Sequence, residues 1–595
     1  MRRFLFPCLL MLSSTVWSQT NIRMTNPLME NIVKGYYNPA SYQGSALSGH
    51  HHDIICGLNQ QVSADSLHHY LVELDQFHTR HTYSDTVSDE TGIGAARRWA
   101  LKRMEQIRSE RANRLSIGYL EFDYPGGLCG DGRKWKNVLA VLPGTDTANH
   151  QLVIIEAHLD TRCEDPCDIN CLAAGMEDNG SGSALVLELT RVLSRYKFTH
   201  TLVFMLTIGE EQGLYGAKAM AKYCKDNNIA VKAVLNNDVV GGIRCGETSS
   251  PPGCDGEGTI DSTQLRIFSD GSFTAPHRSL ARSINLFYQE KLTDVVQVPM
   301  TVSVMDQEDR TGRGGDHIPF RQEGYPSIRF TAANEHGDAH PDNDYQDRQH
   351  SVRDVLGVDH DGDGTLDEFY VDFNYLARNT VINGMAATLL ASGPATPEFE
   401  LLDEPAGLRV NITGNFAANY RVGVRSLQAT NAFDAIYRST STSMVVPGLS
   451  ANQFYRISVA AVDDNGVMSP FSGEILKKNQ AATTTATQDP LDLKLDCSIS
   501  GVPILLKGNE FELSCRPNPG PGYTTIVIRT SSHLAASPAT IRITDVLGKV
   551  VREIPFELQP GKVNHTFDVK LDTGNYFYSL VKKGEVLDTK SLVIH

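Results

Sequence analysis

From about Gln151 to Asp238 the chain alternates short apolar runs with amphipathic stretches, and this alternation constrains its fold more than any other feature. Leu152 to Ala157 is apolar except for Glu156, the pattern of a strand buried on both faces. Ser183 to Tyr196 places Leu185, Leu189, Val192, Leu193 and Tyr196 on one helical stripe. Thr201 to Ile208 reads as a second buried strand, Leu214 to Tyr223 as a second helix and Ala230 to Leu235 as a third strand. Strand–helix–strand order predicts an α/β domain with a mainly parallel central sheet flanked by helices. The domain continues to about Ser392, where the helix-like stretch Tyr375 to Leu390 stops at Gly393-Pro394.

At 595 residues the chain is too long for one core. Over residues 397–478, Tyr455, Ile457, Val459 and Ala461 alternate with polar or small residues, and Asp463-Asp464-Asn465-Gly466 marks a turn. That pattern predicts an antiparallel β-sandwich. Residues 479–490 form a linker rich in Thr and Ala. Residues 491–595 are again β-rich, with strands at Ile541 to Ile543 and Phe577 to Leu580 and turns at Leu547-Gly548-Lys549 and Thr573-Gly574-Asn575. The expected organisation is an N-terminal extension (19–64), an α/β domain (65–392) and two following β-sandwich domains.

Arg2 and Arg3, the apolar run Phe4 to Met11 and the stretch Thr15 to Ser18 give residues 1–18 the form of a secretory signal. No later apolar run is long enough to span a bilayer. The formal net charge is −16, and losing Arg2 and Arg3 makes the mature chain more acidic still, which argues against a nucleic-acid partner. Cys8 leaves with the signal. The ten cysteines that remain predict disulfides in an exported chain. The four-residue steps of Cys163, Cys167 and Cys171 do not match a CxxC metal pair. Cys245–Cys254 and Cys497–Cys515 are the most local candidate pairs.

Five segments concentrate acidic residues and histidines, most of them just after a predicted strand. They are His158-Leu159-Asp160, the Gly-rich Gly175-Met176-Glu177-Asp178-Asn179-Gly180-Ser181-Gly182, Gly209-Glu210-Glu211-Gln212-Gly213, Asn236-Asn237-Asp238, and His350-Ser351-Val352-Arg353-Asp354. Alone, each has an ordinary reading as a surface histidine, a turn or a solvated helix start. Their joint order, and their placement at the carboxyl edge of an α/β sheet where sites form, set them apart from those ordinary readings. Ser181 and Ser183 have no obvious partner base and read as helix-start residues.

In this order the segments resemble the M28 family of zinc exopeptidases, with patterns H-x-D, G-x-x-D-N-G-S-G, E-E-x-G-L-x-G-S, an Asp after a strand, and a late H-[ST]-x-x-D. Ala217 stands where the last Ser of the third pattern is expected. The resemblance covers about Ser66 to Ser392 and takes in Phe77-His78-Thr79-Arg80 and Gly315-Asp316-His317-Ile318-Pro319-Phe320. It implies two Zn2+ ions bridged by Asp178, with His158 and Asp238 completing one site and Glu211 and His350 the other. It further implies that Asp160 holds His158 by its second ring nitrogen, that Glu210 is the general base, and that Asp316 and His317 support the pocket. His340, in His340-Pro341-Asp342-Asn343-Asp344, is the alternative to His350; Ser351 and Asp354 favour His350.

The implied activity is removal of N-terminal residues from peptides. A carboxypeptidase of the same family, using Arg310 and Arg313 for the substrate carboxylate, and a single-zinc glutaminyl cyclase are the enzymatic alternatives. A non-catalytic surface-binding protein is the alternative from another class. Asp359, Asp361, Asp363 and Asp367 resemble a calcium loop, although Tyr370 occupies the twelfth position where an EF-hand has Glu. Residues 397–478 resemble a fibronectin type III module, expected as a spacer or surface-binding element. The tail, with Asp545 to Lys549, Asp572 to Tyr576 and Lys590 to Ile594, resembles type IX secretion sorting domains, which implies release or anchoring at the cell surface.

Overall fold

The computed structural model describes residues 19–42, 48–111, 113–246, 256–272, 274–293, 295–296, 298–309, 314–335, 348–364, 366–489, 497, 511–516, 522–530, 537–545, 549–558, 565–582 and 585–594. The signal-like segment 1–18, His340, Arg310, Arg313, Cys254 and the turn at Leu547-Gly548 lie outside the described residues. The chain divides into two units, Met1–Ser500 and Gly501–His595.

A nine-stranded sheet organises the first unit. Its strands are β1 (Thr20–Met24), β2 (Ser116–Gly127), β3 (Gly130–Leu142), β4 (Leu152–His158), β5 (Thr201–Thr207), β6 (Val231–Asn237), β7 (Gln264–Phe268), β8 (Thr301–Val304) and β9 (Ser327–Ala332). They lie in the order β1-β2-β3-β5-β4-β6-β9-β7-β8. The centre, β5-β4-β6-β9, is parallel. Antiparallel pairs lead outward through β3, β2 and β1 on one side and through β7 on the other. The predicted parallel sheet is therefore the middle of a mixed one. The β2–β3 hairpin and the N-terminal strand, which extend it antiparallel, lie upstream of the alternating segment.

Every residue of β4, β5 and β6 is buried. Helices cover both faces, which is why these strands read as unbroken apolar runs. The helix Ser181–Leu193 buries all its residues except Arg191. It packs against the helices Ala64–Asp75, His51–Gln61 and Phe373–Ser392. The N-terminal extension is part of this body: β1 pairs with β2, and Met29, Ile32, Val33, Ile54 and Ile55 join the main core.

Residues 398–478 form two antiparallel sheets around Leu408, Val410, Tyr420, Val422, Ile457 and Val459. This sandwich is fastened to the α/β body. Met468 and Phe471 enter the main core. Glu474 sits between Arg425 (2.9 Å) and Arg282 (3.2 Å) of the helix Pro276–Lys291. Arg421 reaches Glu290 and Asp489, each at 2.7 Å. The following segment lies along the sandwich, with Thr483 N–H donating to Leu449 O and Asp489 N–H to Ile436 O.

Cys497 then bonds to Cys56 in the helix His51–Gln61. The expected Cys497–Cys515 pair is thus replaced by one spanning 441 residues, because the linker folds back onto the body. Cys129–Cys167 and Cys163–Cys171 are the other two described pairs. Cys245 is also disulfide-bonded. Cys224 is a buried free thiol, so the even count overstated the pairing.

The second unit contains a three-stranded and a four-stranded antiparallel sheet around Leu513, Ile526, Ile528, Ile541, Tyr578 and Leu580. Among the described residues no helix is long and apolar enough to cross a membrane.

Candidate active site

Because β4, β5 and β6 are parallel, their carboxyl ends reach one edge of the sheet together. β4 ends at His158 and leads into Asp160, β5 leads into Glu210 and Glu211, and β6 leads into Asp238. Asp178 comes from the wide turn Met176–Gly180 that opens the helix Ser181–Leu193. That turn is entered through Gly175 at φ 54, where a Cβ would lie 2.1 Å from Thr161 Cγ2. Asn179 ties it to the sheet by donating from Nδ2 to Asn237 O at 2.8 Å and accepting from Gly182 N–H at 3.0 Å. Gly182 lets the helix start touch β6, since a Cβ there would sit 2.3 Å from Asn237 O.

Asp178 is at the centre of the cluster. Its Oδ1 lies 3.1 Å from His158 Nε2, and its Oδ2 lies 2.9 Å from His350 Nε2. Each imidazole has a second carboxylate: Asp238 at 3.4 Å from His158, and Glu211 at 3.1 Å from His350. Burial would raise the Asp178 carboxyl, but hydrogen bonds from the two histidines hold it well below its ordinary value. Burial disfavours the charged His158 ring, yet Asp178 and Asp238 hold its pKa well above the usual range. Burial pushes the Glu210 carboxyl up strongly.

Glu210 and Glu211 line a cleft of about 280 Å3 with Asp178, Asp238 and His350, and Leu128, Arg162, Asp309 and Glu335 form parts of its wall. The predicted residues His158, Asp178, Glu210, Glu211, Asp238 and His350 are therefore brought together.

Asp160 holds His158 by its second ring nitrogen as the H-x-D pattern implies, but through its backbone carbonyl. His158 Nδ1 bonds to the backbone carbonyl of Asp160 at 3.0 Å, while the Asp160 carboxylate is 3.8 Å away. That carboxylate instead accepts from the backbone N–H groups of Glu210 (3.4 Å) and Glu211 (3.3 Å) and from Thr82 Oγ1 (3.0 Å). It thereby orients the loop that carries both glutamates. Asp354 plays a similar part for Asp178, accepting from the N–H groups of Glu177 and Asp178 at 2.9 Å each. Asp316 is fully buried under the cleft and accepts from Thr207 Oγ1. Burial pushes its carboxyl up to about 7. His317 is fully buried beside it.

Sequence reasoning missed several residues. Gln349 donates to Asp178 Oδ2 at 2.9 Å. Arg162 reaches Glu211 (3.1 Å) and His350 Nδ1 (2.6 Å). Arg329 of β9 lies 3.3 Å from Asp238, 3.0 Å from Asp309 and 2.8 Å from Glu335. Gln349 is adjacent to a singled-out segment, and Arg162 lies two residues from one. Arg329 had no signal.

Several known proteins are similar to this chain. A crystal structure of the Legionella pneumophila aminopeptidase LapA matches at 19% identity, covering 57% of this chain and 73% of that one with a TM-score of 0.40. Residues 515–595 match a secretion system C-terminal sorting domain, which makes this a secreted or cell-surface protein. Residues 137–362 match Peptidase family M28. A probable zinc metalloprotease of Leptosphaeria maculans is 29% identical over 435 residues, 71% of this chain and 94% of the relative. One of Pyricularia oryzae is 32% identical over 423 residues, 66% of this chain and 79% of the relative. The chain belongs to peptidase family M28.

Proposed function

We propose that the protein is a di-zinc aminopeptidase that removes N-terminal residues from peptides outside the cell. One observation carries this reading: the two oxygens of the Asp178 carboxylate face two separate imidazole–carboxylate pairs, His158 with Asp238 and His350 with Glu211. That is the layout of a shared ligand between two cation sites built from nitrogen and oxygen donors. The residues fit zinc on a further ground: Glu211 Oε1 is buried with no hydrogen-bond partner, a costly arrangement that a cation relieves.

His158, Asp178 and Asp238 would hold one ion, and Asp178, Glu211 and His350 the other. When bound, zinc supplies Lewis acidity to a water and to the scissile carbonyl. Glu210 belongs to neither pair and faces the cleft, so its carboxylate is free to take a proton from the attacking water and return it to the leaving amine. Asp160 holds the Glu210–Glu211 backbone in place. Asp309 and Glu335 on the wall are held by Arg329.

A second reading is a carboxypeptidase, although the Arg162 guanidinium on the cleft wall already meets Glu211 and His350. Peptides with free and with blocked amino termini, assayed with and without chelator, decide between them. Hydrolysis of the free-amine series alone supports the aminopeptidase. Hydrolysis of N-blocked peptides from the carboxyl end overturns it. We further propose that Asp359, Asp361 and Asp367, whose carboxylates gather in one loop, take calcium.

A further inference from the structure

Phe77-His78-Thr79-Arg80 is a segment of the family resemblance that the proposed chemistry leaves without a role. Its place in the fold supplies one. Thr79 forms a parallel bridge with Ala173, and Ala173 N–H donates to His78 O at 3.0 Å. Arg80 N–H donates to Thr161 Oγ1 at 3.0 Å, and Thr161 Oγ1 donates in turn to Ala173 O at 2.9 Å.

The Arg80 side chain is fully buried and its donors all go to backbone carbonyls: Nε to Leu159 O at 2.8 Å, one terminal nitrogen to Ala174 O and the other to Gly175 O at 2.9 Å. Leu159 lies between His158 and Asp160, and Ala174 and Gly175 lead into Asp178. One planar guanidinium thus spans the loop after β4 and the loop that delivers Asp178. Two residues on, Thr82 Oγ1 holds the Asp160 carboxylate, which fixes the Glu210–Glu211 loop.

Burying a guanidinium against neutral carbonyls is expensive. Asp354, Asp160, Asp75 and Asp178 compensate at longer range, so that the group, lowered by burial to about 10, stays charged at neutral pH. A lysine could not replace it, because a single ammonium nitrogen cannot reach three carbonyls in one plane.

We propose that Arg80 is a positioning residue that sets the spacing between His158 and Asp178 and thereby the affinity of the metal centre. This rests on the di-zinc reading. The test is zinc competition against a chromophoric chelator, together with kcat and KM on an aminoacyl substrate, for the full chain carrying Arg80→Lys or Arg80→Met. The expected result is a folded protein whose zinc affinity falls about 10- to 100-fold, the range for residues that orient metal ligands. kcat should fall with little change in KM, and excess zinc should restore part of it.

Variants that lose only melting temperature, with wild-type zinc affinity and kcat in the folded fraction, overturn the proposal. If neither Arg80 variant folds, Thr161→Val loosens the same pair of loops without emptying the core, by removing the hydroxyl that joins Arg80 N–H to Ala173 O. It should lower zinc affinity severalfold, with Thr161→Ser restoring it; an unchanged affinity in Thr161→Val refutes the idea. Wild-type protein that binds no zinc refutes the di-zinc reading itself, which distinguishes the two failures.

Discussion

Replacing Glu210 with glutamine separates catalysis from metal binding. The side chain keeps its shape, and Asp160 still receives the Glu210 and Glu211 N–H groups, because those bonds are made by the backbone. Neither imidazole–carboxylate pair includes Glu210, the pairs being His158 with Asp238 and His350 with Glu211. Two zinc ions per chain should therefore remain, within the error of elemental analysis. What is lost is the carboxylate that accepts the water proton. General-base catalysis contributes roughly 10²- to 10⁴-fold, which is ~3–5 kcal/mol of barrier at ~1.4 kcal/mol per decade. kcat for a fluorogenic aminoacyl substrate should fall by that factor while KM changes by less than about threefold, since the group acts on the water and not on substrate binding. Glu211→Gln is the control: Glu211 is 3.1 Å from His350 in the second pair, so it should lose metal as well as turnover. A Glu210→Gln enzyme with kcat within about threefold of wild type refutes the assigned role. Loss of zinc from that variant would make Glu210 a ligand instead.

Three other expectations concern the rest of the molecule. Glu474→Ala leaves Arg282 and Arg425 buried without their shared carboxylate, which should cost ~3–5 kcal/mol of stability; thermal melts read this directly, and an unchanged melting temperature would mean the sandwich is only loosely attached. Lys232 is buried, donates to Gly393 O at 2.5 Å, and is lowered by burial from the usual 10.5 to about 7. Between those values the unfolded chain holds a proton that the native chain lacks, so this residue makes stability rise with pH by up to ~1.4 kcal/mol per unit; a Lys232→Met protein should be less pH-dependent over pH 7–10, and an identical profile refutes the assignment. Calcium should raise the melting temperature through Asp359, Asp361 and Asp367, and Asp361→Asn should abolish that shift; no shift in the wild-type protein would leave the loop simply solvated.

The catalytic edge was the most legible part of the chain, for a physical reason. β4, β5 and β6 are buried on both faces, so they appear as apolar runs whose ends stand out when they carry His158, Glu210, Glu211 and Asp238. Parallel pairing then brings those ends together without further information. His350 was placed only by its neighbours Ser351 and Asp354. Of these, Asp354 carries the explanation, since its carboxylate holds the Glu177 and Asp178 N–H groups. The Cys56–Cys497 bond was not legible, because proximity along the chain is no guide to a pair separated by 441 residues. The exchange of partners at Asp160 was invisible for a different reason: a backbone carbonyl and a carboxylate of the same residue cannot be told apart in a pattern of letters.

Charge shows most clearly where pattern reading stops. Glu474, Arg425 and Arg282 look like surface residues in sequence, yet their side chains are about 1% exposed. Arg329 likewise gives no sign that it gathers Asp238, Asp309 and Glu335. A buried charge is tolerated only beside its partner, and that partner lies on another element, so tertiary structure must identify it. The same rule separates two kinds of cluster in this protein. At the sandwich interface, carboxylates and guanidinium groups balance within the chain, and the result is attachment. At the carboxyl edge of the sheet, Asp178, Glu210, Glu211 and Asp238 converge on two imidazoles with a carboxylate oxygen of Glu211 left without a hydrogen bond. That imbalance cannot be justified as packing, because apolar residues in the same places would be more stable. Arg162 meets Glu211 and Arg329 meets Asp238 there, and the proposed cations would balance the carboxylates that remain, which makes the acidic surplus, more than any single motif, the physical argument for that proposal.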